Sequence, residues 1–477
     1  MKIRIGIVVA WFVLLGLVGV FVMTRSDPEK HANILEHYKY GSIGAEGRSG
    51  VPASLWLALP EVFEDLLPKG PGTGYERVGL LYEDNKRSRS GVENRPIGTS
   101  FREAQTGMIG LNCAVCHVGT LRTSKDARRQ IILGMPANQF NLQAYLNFLR
   151  NVGGDKRFNA DTLIPAIKKA DPDFSRADEL LYRHYVIPRT KAALQQLRDD
   201  FKWMDVRPPE GPGRVDTFNP YKVIVGISTG DTVGTSDLPS IWNQRPREGM
   251  QLHWDGNNDS VEERNISAAI GAGATEASLD HGGLQRVADW IWDFQPPMQY
   301  PRDRIDAARA EVGRGIYAAR CASCHDFGAA NIGQSVPLAQ IGTDPERLHS
   351  FTPELAANMN TFGTGRPWRF SHFRKTDGYA NMPLDGLWLR APYLHNGSVP
   401  TLRDLLEPPE RRPTVFWRGY TVYDYQNVGF VSSGPEAERL GWRHDTGVRG
   451  NGNGGHVYGT GLTPEEKAAL LEFMKTL

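Results

Sequence analysis

The sequence predicts a mainly α-helical fold of two related domains with long loops, preceded by an N-terminal transmembrane helix. Three observations lead to this prediction. The pattern Cys-x-x-Cys-His occurs twice, at residues 113–117 and 321–325, and uses all 4 cysteines of the chain. Apolar residues recur at helical spacing in segments before and after these motifs. An uncharged apolar run near the chain start approaches the ~20 residues that cross a bilayer as a helix.

The N-terminal apolar run extends from Ile5 to Met23. A cleaved signal peptide is the alternative, but the run ends without the small residues of a cleavage site. Lys2 and Arg4 precede it and would keep the N-terminus in the cytoplasm. We therefore expect residues 1–24 to be a single-pass signal anchor. The rest of the chain would then lie on the periplasmic side of the bacterial plasma membrane.

Composition narrows the function classes. A chain of 477 residues suggests two or three domains. A formal net charge of +1 gives no reason to expect a nucleic-acid partner. The 51 glycines and 31 prolines predict long loops between the helices.

The two Cys-x-x-Cys-His motifs are the attachment signature of c-type haem. One helical turn brings two thiols spaced three residues apart onto one side, where both can form thioethers with the vinyl groups of a porphyrin. The following histidine then binds the iron from below. Zinc sites and thioredoxin-like pairs also use Cys-x-x-Cys, but neither needs both histidines. We therefore predict two covalently bound haem c groups, with attachment through Cys113, Cys116, Cys321 and Cys324 and with His117 and His325 as proximal iron ligands.

The second motif lies between two predicted helices. Residues 305–320 carry apolar side chains at helical spacing and lead directly into the motif. Near the C-terminus, Thr463 is a predicted N-cap, Pro464 fits the first helical position, and Glu466 completes a capping box. This closing helix would run to Leu477.

The first motif has related surroundings. Met108, Ile109 and Leu111 precede Cys113, in the place of the helix that leads into the second motif. A closing helix is predicted over residues 284–294, and two prolines then mark a linker. The predicted organisation is an anchor over residues 1–24, an N-terminal extension over 25–100, a first haem domain over 101–297 and a second over 298–477.

Several stretches resemble known families. A helix that enters Cys-x-x-Cys-His, closed by a C-terminal helix, resembles the small cytochrome c fold over residues 302–477. Residues 252–265, L-H-W-D-G-N-N-D-S-V-E-E-R-N, and residues 390–402, R-A-P-Y-L-H-N-G-S-V-P-T-L, resemble motifs of bacterial di-haem cytochrome c peroxidases. Residues 406–430 and 450–461 are similar to the branch of this superfamily that includes bacterial rubber oxygenases. The resemblance covers residues 75–477.

This resemblance implies a di-haem oxidoreductase. The first haem, with an open sixth position, would react with peroxide or dioxygen, and the second would relay electrons to or from a small redox protein or a quinone-linked donor or acceptor. A non-catalytic electron carrier with two six-coordinate irons is the alternative. A third hypothesis is an enzyme that modifies another protein.

The sixth ligand of the second haem is expected to be His456, which follows a glycine-rich loop that can approach a porphyrin closely. Met382, in an N-M-P stretch that resembles the methionine loop of small cytochromes c, His444 and His395 are the main alternatives. His372 and Met359 are further candidates. The choice matters because a Met/His pair raises the reduction potential relative to two histidines.

The first haem's distal surroundings are expected to include Trp254, with His253 and Asp255 beside it, although Trp254 is equally expected as a core residue. Asn257 replaces the arginine of the peroxidase W-D-G-R motif, which argues against ordinary peroxidase chemistry. The resemblance places Glu276 near the position of the peroxidases' acid/base glutamate. The alternative, which we favour, is that Glu276 caps or precedes a helix.

Overall fold

A computed structural model describes residues 27–84, 91–103 and 106–477. Helices account for 43% and strands for 12% of the structure. No helix in these ranges is long and apolar enough to cross a bilayer. The predicted fold class, mainly α with a transmembrane helix, was therefore wrong, and a single-pass anchored location is not supported. The run from Ile5 to Met23, on which both predictions depended, lies outside the described residues.

Most of the helices are short, because glycine and proline interrupt the chain often. They are α1 Ile34–Tyr40, α2 Glu46–Ser49, α3 Ala53–Val62, α4 Cys113–Cys116, α5 Leu142–Gly154, α6 Ala160–Ala170, α7 Arg176–Leu181, α8 Ile187–Asp200, α9 Asn219–Ile224, α10 Val261–Gly271, α11 His281–Asp293, α12 Ala307–Arg320, α13 Ala322–His325, α14 Leu338–Ile341, α15 Glu346–Ser350, α16 Pro353–Met359, α17 Leu402–Leu405, α18 Pro435–Leu440 and α19 Pro464–Met474. A π-helical turn, Tyr182–Val186, joins α7 to α8.

The strands form small antiparallel sheets. They are β1 Asp27–Pro28, β2 Val51–Pro52, β3 Thr99–Glu103, β4 Met108–Leu111, β5 Val118–Leu121, β6 Gln130–Leu133, β7 Arg214–Asp216, β8 Thr235–Asp237, β9 Ser335–Pro337, β10 Gly378–Ala380, β11 Val415–Arg418, β12 Tyr423–Asp424, β13 Gly429–Phe430 and β14 Trp442–Asp445. One sheet has the order β1-β3-β4-β2, and the other strands pair as β5-β6, β7-β8, β9-β10, β11-β14 and β12-β13.

The segment before the first motif is a strand where we expected a counterpart of the leading helix. Met108–Leu111 forms β4, and Ile109 pairs with Phe101 on β3 and with Val51 on β2. As an extended segment, these residues gain hydrogen bonds from two neighbouring strands, which a helical turn would not make. The closing helix predicted over residues 284–294 is confirmed as α11.

Three large cores hold these elements together. One joins α3, α5, α6 and α8 around Trp56 and Phe148. A second surrounds Trp242 and Trp388 and includes Leu470 of α19. The third is rich in aromatic side chains, among them Phe218, Phe351 and Phe370. The division into domains at residues 100/101 and 297/298 stays a prediction.

The two helices predicted around the second motif are confirmed and pack against each other as α12 and α19. Thr463 caps α19 in the expected capping box with Glu466. The close approach depends on Gly313, because a Cβ atom there would collide with the main-chain oxygen of Ala469. At Gly315, two residues later, no atom lies within 4 Å of a Cβ built in the same way.

These two glycines give a matched test of the helix crossing. We expect Gly313→Ala to destabilise the protein by about 1–3 kcal/mol, because overpacking forces α12 and α19 apart. Gly315→Ala should stabilise it by up to about 1 kcal/mol through helix propensity alone. Thermal unfolding of both variants checks this. Equal midpoints would show that α12 and α19 do not meet at Gly313.

Candidate haem sites

The first motif begins a short helix that Asn112 caps. The Asn112 side chain accepts a hydrogen bond from the Ala114 amide at 3.0 Å and donates one to the Gly41 carbonyl at 2.9 Å. This cap starts the helical turn at Cys113, so that Cys113 and Cys116 face the same side. The cap therefore prepares the two thiols for attachment to one porphyrin edge.

The ring of His117 is fixed by a single main-chain carbonyl. Its Nδ1 lies 2.8 Å from the Pro239 oxygen, and because a carbonyl can only accept, Nδ1 carries the proton. Burial lowers the pKa of His117 to about 4, which keeps the ring neutral. Nε2 is then the nitrogen available to iron, and a carbonyl partner on the other nitrogen is the usual arrangement for a histidine ligand.

The second motif uses the same device. Cys321 follows α12 directly, and the turn of α13 carries Cys324 and His325. The Nδ1 of His325 donates to the Met382 carbonyl at 2.7 Å. Burial lowers the pKa of His325, so this ring is also neutral and offers Nε2.

His456 lies opposite His325. Their ring centroids are 6.3 Å apart, with the ring planes at 47°. Two imidazoles that bind one metal through bonds of about 2 Å have centroids roughly 6 Å apart. The separation of the two rings is the one that two ligands on opposite sides of a single iron would have, so the residues at this site fit a haem.

Arg412 and a close main-chain contact position the loop that carries His456. The Arg412 guanidinium donates to the carbonyls of Asn453, Gly455 and His456 at 2.6, 2.8 and 3.2 Å. The His456 amide donates to the Ile341 carbonyl at 2.8 Å. Gly455 passes so close to the main chain of residue 342 that no Cβ atom would fit. Glycine at position 455 of this loop thus has a direct steric cause.

The other candidate ligands lie elsewhere. Met382 supplies the carbonyl behind His325, which places its main chain on the proximal side. His395 stacks on Tyr379 with centroids 4.0 Å apart, and His444 is buried on β14 against Phe416. His372 is half-exposed and bonded to an aspartate, and Met359 belongs to the aromatic core.

The first haem site is built differently, because His117 has no partner ring like His456 in the described ranges. Cys113 instead packs against the aromatic core around Phe218 and Phe351. His253 stands at its edge, with its ring stacked on Phe373 at 6.3 Å and Nδ1 2.5 Å from the Asn257 oxygen. Burial lowers the pKa of His253 to about 4. The first candidate site therefore combines an aromatic core beside Cys113 with the polar ring of His253 at its edge.

Arg264 is a residue of this site that the sequence analysis missed. Burial lowers its pKa to about 10, and its positive charge contributes to the low pKa values of both His117 and His253. Its nearest polar partner is the Asn265 side chain at 3.3 Å. The stretch of residues 252–265 contained Arg264, but only its spacing on α10 could have shown that it reaches the site.

Asn257 and Glu276 have clear structural surroundings. Asn257 is buried and donates to Asp255 at 3.0 Å, and Asp255 in turn accepts from Arg347 at 2.9 Å. Glu276 is part-exposed; it accepts from the Gly363 amide at 3.0 Å and lies 3.5 Å from Arg366. The catalytic role expected of Glu276 stays a prediction.

Trp254 connects the segments that hold the two proximal histidines. Its ring Nε1 donates to the Asp237 carbonyl at 2.9 Å, two residues before Pro239. Its own carbonyl accepts from the Ala380 amide at 2.8 Å, two residues before Met382. Pro239 and Met382 are the residues whose carbonyls fix the proximal rings. A continuous path of covalent and hydrogen bonds therefore joins the two haem sites through one aromatic residue.

Two family models match parts of the chain. The model for RoxA-like, cytochrome c-like proteins matches residues 378–418, and the model for cytochrome C oxidase, cbb3-type, subunit III, matches residues 308–367. The second range contains Cys321, Cys324 and His325. The chain therefore contains cytochrome c-type sequence, which implies covalently bound haem c and a haem-based redox or electron-transfer role.

Two curated proteins of Sinorhizobium fredii are similar to part of the chain. "Uncharacterized protein y4iM" is 36% identical over 221 residues, which cover 41% of this chain and 49% of that protein. "Uncharacterized protein y4iJ" is 31% identical over 262 residues, covering 41% and 44%. The chain thus spans about half the length of the curated relatives it matches.

The placement of His456 leads to a spectroscopic prediction. We expect His456→Ala to convert one haem from low spin to high spin, because the iron at His325 loses its second imidazole. The control is His372→Ala, which removes a half-exposed histidine bonded to Asp259. Electron paramagnetic resonance of the oxidised proteins checks this. A low-spin signal that survives in His456→Ala but disappears in a variant of His444 or Met382 would assign the sixth ligand to His444 or Met382 instead.

Proposed function

We propose that the protein is a di-haem oxidoreductase in which the two irons have different tasks. The observation that carries this proposal is the asymmetry of the sites: the ring of His325 has the ring of His456 at 6.3 Å, whereas His117 has no such ring in the described ranges, and Cys113 of its motif packs against an aromatic core. A site with two protein ligands suits electron relay. A site with one leaves iron accessible to a small oxidant such as peroxide or dioxygen.

The chain's own residues would act at the first site as follows. Haem c at His117 supplies the redox chemistry when bound. The Pro239 carbonyl orients the His117 ring, and the aromatic core with Phe351 and Phe370 excludes water. Arg264 would place a positive charge near both His117 and His253, and a fixed charge acts strongly on an anionic group in a site shielded from water. His253 is held neutral, and because its Nδ1 donates to the Asn257 side-chain oxygen, its Nε2 can only accept a hydrogen bond there.

Electrons would pass between the sites through the Trp254 path. Its hydrogen bonds to Asp237 and Ala380 close the two gaps that separate the proximal segments. The second haem would exchange electrons with a small redox protein or a quinone-linked partner. This division of labour agrees with membership of the di-haem peroxidase superfamily, in the branch of RoxA-like proteins, which the match over residues 378–418 supports.

The alternative function is a di-haem electron carrier without a substrate. The same Trp254 path would serve it, and the paired His325 and His456 suit it equally. The two functions differ in the first site alone. In a carrier, the iron that His117 binds needs a protein side chain as its sixth ligand. In an enzyme, that sixth position has to stay accessible.

Carbon monoxide separates the two functions. We expect two covalent haems per chain, of which only the first binds carbon monoxide in the reduced protein. Cys113→Ala with Cys116→Ala should leave one haem that does not bind it, and Cys321→Ala with Cys324→Ala one haem that does. Haem-to-protein ratios and difference spectra measure both properties. A reduced wild-type protein whose spectrum does not change under carbon monoxide would favour the carrier.

The electron path gives a second test. Trp254→Phe keeps an aromatic ring but removes the 2.9 Å bond to Asp237, and we expect electron transfer between the haems to slow about tenfold, or ~1.4 kcal/mol of barrier. Trp368→Phe, in a ring cluster with Phe370, is the control. Electron redistribution after photolysis of carbon monoxide from the half-reduced protein gives the rate. Unchanged rates in Trp254→Phe and Trp254→Ala would exclude this path.

A further inference from the structure

Three arginines are almost completely buried near the junction of β7, β8 and β11, and one of them lacks a carboxylate partner. Arg347 bonds to Asp255 at 2.9 Å, and Arg418 bonds to Asp237. Among the described residues, Arg214, 1% exposed, donates to the carbonyls of residues 210 and 450, at 3.2 and 3.3 Å, and its Nε has no partner there. An unpaired buried guanidinium is strongly unfavourable, so native proteins rarely contain one.

The carboxyl groups around Arg214 do not compensate its charge. Burial, together with the nearby Asp216, raises the pKa of Glu210 to about 8, so this carboxyl is mostly protonated near neutral pH. The Asp237 carboxylate is already bonded to Arg418. Burial also raises the pKa of Asp344, and its oxygens accept from the amides of residues 346 and 452. None of these carboxyl groups forms an ion pair with Arg214 among the described residues, although all three act on its charge at longer range.

Two buried histidines have unused ring nitrogens in the same region. His444 is 0% exposed, and neither of its nitrogens has a hydrogen-bond partner. His395 is 5% exposed, and its Nε2 has none. Burial lowers the pKa of both rings well below the usual range, and the charge of Arg214 lowers both further. Asn396, next to His395, shares the residue 450 carbonyl with Arg214, and His444 lies within reach of the charges of Arg214 and Arg418.

We propose that Arg214, His395 and His444 form a buried anion site that binds a carboxylate. Each has a side-chain nitrogen without a hydrogen-bond partner among the described residues. The carboxylate is either a propionate of a bound haem or a small free anion such as formate. The residue 450 carbonyl that Arg214 contacts begins the glycine-rich loop that ends at His456, so the site lies at the base of this loop.

The test measures the reduction potential of the low-spin haem in Arg214→Gln, His444→Phe and the control Arg449→Gln, each with and without formate. Arg449 lies on the same loop but is half-exposed and paired with Asp231 and Glu346. We expect Arg214→Gln to lower the potential by about 59 mV, a tenfold change in the equilibrium constant of a one-electron couple, because a carboxylate loses its positive partner. His444→Phe should lower it by less, and Arg449→Gln should leave it unchanged.

The two carboxylate sources give different results. If a propionate occupies the site, formate changes neither the wild type nor the variants. If a free anion binds, formate lowers the wild-type potential in a saturable way, and Arg214→Gln abolishes this response. Potentials and formate responses of both site variants that equal those of Arg449→Gln would overturn the proposal.

His444→Phe still tests the anion site if Arg214→Gln does not fold. Phenylalanine fits between Phe416 and Trp442, whose centroids lie 4.8 and 6.1 Å from that of His444. If His444 only fills space, His444→Phe keeps the potential and raises the thermal midpoint, because two buried nitrogens without hydrogen-bond partners disappear.

The propionate alternative rests on the proposed second haem. If that haem is absent, the proposed function fails, and the anion site stands only if formate raises the thermal midpoint of the wild type but not of His444→Phe.

Discussion

The hydrogen bond from each proximal histidine to a main-chain carbonyl is the interaction on which both haem sites depend. It sets the tautomer, so that Nε2 and not Nδ1 is offered to iron, and it prevents rotation of the ring. The carbonyls of Pro239 and Met382 come from segments more than 50 residues after each motif, with 122 and 57 residues separating the bonded pairs. Each site therefore forms only when distant parts of the chain have folded together. This explains why long loops surround such short local motifs.

The same two carbonyls lie on the path that we propose between the two sites. A segment that holds a proximal ring is itself held by Trp254, once through the indole and once through the main chain. A shift of the indole would move the Asp237 carbonyl and, two residues later, the oxygen that orients His117. Trp254 thus packs against a small core and also connects the two segments, while its expected place in the distal surroundings of the first haem stays a prediction.

Much of the second site was predictable from the sequence, and much of the first was not. The capping box at Thr463, the helical spacing before Cys321 and the glycines before His456 are local signals, because each arises from residues close in sequence. Arg264 carried no such signal: its contribution depends on how α10 is directed toward His117. Residues 108–111 were misjudged because the hydrogen bonds that make them a strand come from β2 and β3. The membrane prediction depended on the apolar run from Ile5 to Met23, which lies outside the described residues.

The buried arginines also depend on partners from distant segments of the chain. Arg347 and Arg418 meet carboxylates supplied by other segments, and these pairs lie on either side of β8, which leads to Pro239. Arg214 occupies an equivalent depth without such a partner. Because removing one member of a buried ion pair typically costs 3–5 kcal/mol, a fold that keeps a lone guanidinium beside two unbonded histidines needs a compensating negative group. The propionates of a haem would supply that charge only after attachment, so that cofactor binding and the final packing around β7 would depend on each other.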